Sequence, residues 1–121
     1  MTIRNVIERV NVLKPNQYDD ETLVAWLSDL DGQIWQDVLR GYEDAPPAPD
    51  VYSRDDMEQK LLVESPHEEL YVTYLSAKID YQNGEYERYN NTMMLYNAQL
   101  QTFYNAYNRM HTHKHDAYIR I

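Results

Sequence analysis

Apolar residues recur with helical spacing in four separate stretches of this chain, and polar residues mark where each stretch ends. Ile3, Val6, Ile7, Val10 and Leu13 follow 3/4 spacing and predict a first helix over Ile3 to Leu13. Thr2 is placed to cap it. Pro15 ends it, because the residue before a proline is driven out of αR geometry. A second helix is predicted to start at Asp19 or Asp20, where acids suit the positive end of the helix dipole. Leu23, Trp26, Leu27, Leu30, Ile34 and Val38 form its buried face, with Trp35 near the rim, and Gly41 suits its C-cap. A third helix is expected to open with Ser65 as N-cap, Pro66 at the first position and Glu68 completing a capping box. Its apolar sector holds Leu70, Tyr74, Leu75, Ala77 and Ile79, and Asn83-Gly84 closes it.

The fourth stretch is the longest. Tyr86, Tyr89, Met93, Tyr96, Leu100, Phe103, Tyr107 and Met110 are spaced 3, 4, 3, 4, 3, 4, 3. Such a heptad stripe predicts a rod from Glu85 to Met110, roughly 39 Å long at 1.5 Å per residue. Between the stripe positions lie Asn90, Asn91, Gln99, Gln101, Asn105 and Asn108, which are polar but uncharged. Exposed helices usually carry Glu and Lys there. An amide-coated helix with a tyrosine stripe suits lateral contact with another chain.

Two segments do not read as helix. Ala45-Pro46-Pro47-Ala48-Pro49-Asp50 is extended, PPII-like sequence, and the connection 42–65 is long for a compact domain. Leu61-Leu62-Val63 within it is either a strand or an anchored loop. The whole connection is a candidate arm towards a neighbour. After the fourth helix, alternation of His111, His113 and His115, followed by Tyr118, Ile119 and Ile121, predicts an extended tail. The expected fold is therefore mostly α: a four-helix bundle with a long C-terminal helix, a long Pro-containing loop and an extended tail. Residues 1–110 would form the helical domain and residues 111–121 the tail.

Charge and composition narrow the function. The formal net charge is -9 over 121 residues, and there is no cysteine. That excludes disulfides, thiolate metal sites and a thiol nucleophile. Residues 1–69 carry 16 acids and 6 bases, net -10, against 4 acids and 5 bases in residues 70–121. No basic cluster offers a grip on nucleic acid. An acidic half keeps a small protein soluble, and it would also let DNA pass without sticking. The opening residues carry Arg4, Glu8, Arg9 and Lys14 and lack the apolar run of a signal peptide, and no stretch is apolar enough to span a bilayer. The twelve tyrosines suit surfaces that are half-buried or buried on assembly.

Reactive chemistry is poorly represented. His111-x-His113-x-His115 would place three imidazoles on one face of a strand, a spacing compatible with Zn or Ni. A polar extended tail explains it more simply, and no metal or cofactor is expected. The acid pairs Asp19-Asp20, Asp55-Asp56 and Glu68-Glu69 sit at caps and in loops, where the dipole and solvation account for them. Asp29-x-Asp31-Gly32 matches part of a calcium loop but lacks the twelfth-position Glu and lies within a helix. No phosphate-binding glycine loop and no nucleophile elbow is present. The chain is not expected to be an enzyme.

Several stretches resemble the head–tail connector, or adaptor, proteins encoded in the head-assembly region of tailed bacteriophages and prophages of Gram-positive bacteria. They are Lys14-Pro15-Asn16-Gln17-Tyr18-Asp19-Asp20, Trp26-Leu27-Ser28-Asp29-Leu30-Asp31-Gly32, Glu69-Leu70-Tyr71 and, closest of all, Ile79-Asp80-Tyr81-Gln82-Asn83-Gly84-Glu85-Tyr86-Glu87-Arg88-Tyr89-Asn90-Asn91. The resemblance covers most of the chain except the Pro-rich loop and the tail. It implies a helical subunit of a ring, commonly of twelve copies, under the portal protein. Such a ring extends the DNA channel and docks a neck stopper or tail-completion protein. The chain would be made in the host bacterial cytoplasm and reside in the virion, with DNA passing through without specific binding and no membrane involved. The candidate interaction residues are Tyr89, Tyr96, Tyr104, Tyr107, His113, Tyr118, Ile119 and Ile121. The alternative is a small cytoplasmic, phage-encoded helical binding or regulatory protein.

Overall fold

The computed structural model describes residues 1–114, which form a mostly α-helical bundle. Helix α1 spans Ile3–Leu13, α2 Asp20–Asp37, α3 Glu69–Gln82 and α4 Tyr86–Met110, with short 3-10 turns at Leu39–Gly41 and Arg54–Asp56. Among the described residues, none of the helices is long and apolar enough to cross a membrane.

α1 forms where its pattern places it. Thr2 caps it reciprocally: its hydroxyl accepts from Asn5 N at 3.1 Å, while Asn5 Oδ1 accepts from Thr2 N at 3.0 Å. Ile3, Val6, Ile7 and Val10 point inward and are buried. α2 is capped by Asp19, whose carboxylate accepts from Thr22 N at 2.9 Å. These hydrogen bonds hold the Asp19 carboxyl below its ordinary value. Leu23, Val24, Leu27, Leu30 and Ile34 are its buried apolar residues. Each such aliphatic side chain contributes roughly 1.5–3 kcal/mol on burial. α2 stops at Asp37 rather than at Gly41, because the chain tightens into the 3-10 turn that buries Leu39. Trp26 and Trp35 are both half-buried. Trp26 lies against Tyr18 under the Lys78 ammonium, and Trp35 Nε1 donates to Pro46 O at 2.7 Å.

α3 is the central helix. Leu70, Tyr71, Val72, Thr73, Leu75, Ala77, Ile79 and Asp80 are all buried, which covers more than one face. α1 and α2 pack on it, and α4 folds back along it. The turn at Asn83-Gly84 that reverses the chain is as predicted, with Gly84 at φ 78°, a conformation that glycine adopts without steric cost.

The predicted start of α3 is corrected. Ser65 does not cap it, and the helix begins at Glu69. Glu68 does not reach back to an N-cap, because its carboxylate pairs with the Met1 ammonium at 3.1 Å. Residues 64–68 instead make a turn, with His67 N donating to Glu64 O at 2.9 Å.

The connection 42–65 does not project as an arm. It is laid over its own helices. Tyr52, Leu61 and Val63 are buried in the core. Ile3 N donates to Gln59 O at 3.0 Å and Arg4 N to Met57 O at 2.9 Å, so this segment supplies acceptors for the open N–H groups at the start of α1. The Leu61-Leu62-Val63 run is an anchored loop beside an isolated bridge between Thr2 and Lys60. After α4, residues His111–Lys114 continue in extended form and attach to the segment after α2. Glu43 N donates to Thr112 O at 2.8 Å and Lys114 N to Gly41 O at 2.9 Å, around a bridge between Tyr42 and His113.

Candidate interaction surface

α4 has two unlike faces. The inner one lies on α3, where Tyr96 and Phe103 are buried and Met93, Leu100, Tyr104 and Tyr107 pack against the core. The heptad stripe thus works as an internal seam in its middle, while its ends, Tyr86 and Met110, are exposed. The outer face carries Asn90, Asn91, Gln101 and Asn105 together with two exposed apolar residues, Met94 at 72% and Leu95 at 55%. Between Arg88 and Arg109 there is no charged residue at all.

The candidate tyrosines divide between these faces and the ends of the helix. Tyr96 is core rather than surface: it sits at a stripe position facing α3, with its ring 5.2 Å from that of Tyr74. Burial pushes its phenol above the ordinary value. Tyr89 is half-buried, its ring 5.1 Å from Tyr81, which also contacts Tyr86 at 5.5 Å. Tyr104 is half-buried against Phe103. Tyr107 meets Tyr42 edge-on at 4.9 Å and stacks on His111 at 3.8 Å. His113 stacks on the other partner of that cluster, Tyr42, at 4.3 Å. The structure therefore gathers Tyr107 and His113 around Tyr42, keeps Tyr89 at the opposite end of α4 and removes Tyr96 from the surface. Tyr118, Ile119 and Ile121 lie outside the described residues.

The histidine segment is held by ordinary contacts. His111 Nδ1 lies 2.8 Å from Asp44 Oδ2, and the Tyr42 hydroxyl donates to Asn108 Oδ1 at 3.0 Å. Among the described residues, no group of three or more His, Cys, Asp or Glu side chains converges on a point that a metal ion could occupy. His115, the third residue of the alternating set, is outside them.

The main polar feature missed by pattern reading is buried. Asp31 Oδ1 accepts from the Tyr71 hydroxyl at 2.5 Å, and Asp31 Oδ2 accepts from the Tyr52 hydroxyl at 2.7 Å and from Leu62 N at 3.0 Å. The Tyr71 hydroxyl in turn accepts from Val63 N at 2.8 Å. Burial raises the Asp31 carboxyl above its ordinary value, and the three donors offset this only in part. Burial and the nearby Asp31 charge push Tyr71 well up. This node ties α2, α3 and the 50–63 segment together, with Asp31 and Tyr71 fully buried at its centre. Its signal was present: Asp31 falls four residues after Leu27 and three before Ile34, on the buried stripe.

A second buried acid, Asp80, pairs with Lys14 Nζ at 2.8 Å. Both nodes join stretches that carry the connector resemblance. Trp26–Gly32 meets Glu69–Tyr71 at Asp31, and Lys14–Asp20 meets Ile79–Asn91 at Asp80. Those stretches thus meet one another inside the fold. Compared with protein-family models, curated proteins and solved structures, the chain finds no significant match.

Proposed function

We propose that this chain is a structural subunit of the tailed-phage neck, a head–tail connector that forms a homo-oligomeric ring below the portal protein, commonly of twelve copies. The ring extends the DNA channel and docks the neck stopper or tail-completion protein. The observation that carries the reading is the division of α4: one face seated on α3, the other exposed, uncharged and studded with Met94 and Leu95. Two neighbouring apolar side chains on a helix face without charge are a surface that an assembling subunit can cover without desolvating an ion.

Three further features support it. The stretches resembling connector proteins contribute both partners of the Asp31–Tyr71 and Lys14–Asp80 contacts. The chain's net charge of -9 disfavours retention of DNA moving past it. Its buried polar groups form structural nodes rather than an open constellation of acids and bases. The mechanism is assembly: rigid helices hold a contact face, and neighbouring chains cover it.

Deleting the coding sequence from a phage genome that carries it tests the reading. The expected result is filled heads and free tails that do not join. Normal joined, infectious particles would overturn it.

A further inference from the structure

We infer that copies of this chain associate head to tail, the uncharged outer face of α4 in one copy seating on the C-terminal end of α1 in the next. This deepens the connector reading and rests on it for the expectation that copies meet at all. It goes further in naming both surfaces.

Charge selects the first surface. Two copies with a net charge of -9 each repel wherever their acidic surfaces face one another. The α4 face between Arg88 and Arg109 is free of that cost, and it presents Met94 and Leu95 for burial. The amides around them can exchange hydrogen bonds without desolvating an ion.

The second surface follows from the same two criteria. Val12 and Leu13 at the end of α1 are exposed at 78% and 60%, and they border a shallow cleft of about 600 Å³ with Met1, Asn5, Glu8 and Arg9. The bases of α1 and its C-terminal edge are already matched within the chain. Arg4 pairs with Glu58 at 2.6 Å, Arg9 with Glu69 at 3.3 Å and Lys14 with Asp80 at 2.8 Å. The region therefore presents apolar side chains beside paired bases and one acid, Glu8, which meets no like charge on the uncharged α4 face, and the cleft offers a place for the Leu95 and Met94 side chains.

Topology makes the pair usable together. α4 and α1 each pack on α3 as separate flanks of the bundle. One copy can thus offer its α4 face to one neighbour and its α1 end to another. Contacts between unlike patches propagate from copy to copy and close into rings, whereas a patch meeting itself stops at a dimer.

The chain has no cysteine, so a single substitution supplies a unique reporter. Full-length Leu95→Cys and Val12→Cys are mixed and treated with a short bismaleimide, with Val51→Cys, at a site exposed at 88%, as the control partner. The Leu95→Cys and Val12→Cys mixture should yield roughly tenfold more cross-linked dimer than either variant alone or with the control, the factor that about 1.4 kcal/mol of preference supplies. A mixture no better than the control overturns the inference. So does equally efficient cross-linking of Leu95→Cys to itself. In sedimentation, Leu95→Glu should raise the concentration at which copies associate by about tenfold or more, since it places an unpaired charge in the contact. Unchanged association overturns the inference. Failure of the connector reading is separate: cross-linking that succeeds while particles join normally without the chain would sink that reading and leave the contact standing.

Discussion

The Tyr71 hydroxyl of α3 donates to the Asp31 carboxylate of α2 at 2.5 Å, and neither side chain reaches solvent. Around that bond the Tyr52 hydroxyl and the Leu62 amide complete the carboxylate's coordination, so one buried anion organises three segments. Asp31→Ala leaves two hydroxyls and an amide without their acceptor. It should cost about 3–5 kcal/mol, whereas Tyr52→Phe, which removes one donor, should cost about 1–2 kcal/mol. Urea unfolding of both variants measures this. Equal, small losses would contradict the node's role.

The same residue predicts a pH dependence. Burial lifts Asp31 above the ordinary carboxyl value of 3.8, so the folded chain holds this proton more tightly than the unfolded chain does. The resulting stability is fully present below the unfolded value and is lost as pH rises through the folded one. Asp31→Asn has no such proton. Urea midpoints taken between about pH 3 and pH 7 should show the advantage of the native chain over Asp31→Asn shrinking as pH rises. An advantage that grows would reverse the assignment.

Lys14 and Arg4 should behave differently although both are ion-paired. Lys14 is four-fifths covered, and its partner Asp80 is buried. Lys14→Ala strands that carboxylate and should cost about 3 kcal/mol or more. Arg4 and Glu58 are exposed, so Arg4→Ala should shift the unfolding midpoint little, and high salt should erase what shift there is.

The two faces of α4 should separate stability from assembly. Phe103→Ala empties a buried position and should destabilise the folded chain by about 3–5 kcal/mol. Leu95→Ser lies on the outer face and should change stability by less than about 0.5 kcal/mol. Thermal unfolding at low concentration distinguishes them, and a large loss for Leu95→Ser would place that side chain in the core.

The histidine segment should be a latch of modest strength. Asp44→Asn removes the acceptor charge facing His111, yet the Glu43–Thr112 and Lys114–Gly41 backbone bonds remain. Global stability should hold while the Glu43 and Lys114 amides exchange faster with deuterium. Exchange that does not change would show that the backbone bonds alone hold the segment.

These outcomes also mark where pattern reading works. α1, the start of α2, the Asn83-Gly84 turn and the length of α4 are set by neighbours within a few residues, and all were legible. The start of α3 was not, because Glu68 answers to Met1, 67 positions away. Docking of the 42–65 connection was hidden for the same reason: it depends on Asp31 meeting Tyr52 and Leu62 across 21 and 31 positions. Of the candidate surface, the uncharged face of α4 was legible from its amides. The inward turn of Tyr96 follows from the stripe it belongs to, since a residue on the seam facing α3 is not also on the surface.

Electron cryomicroscopy of particles from a phage that encodes this chain tests the account most directly. It should show a ring at the head–tail junction whose subunits fit this fold, with the outer face of each α4 covered by the next copy. Intact junctions without the chain, or a ring in which Met94 and Leu95 face open solvent, would contradict it.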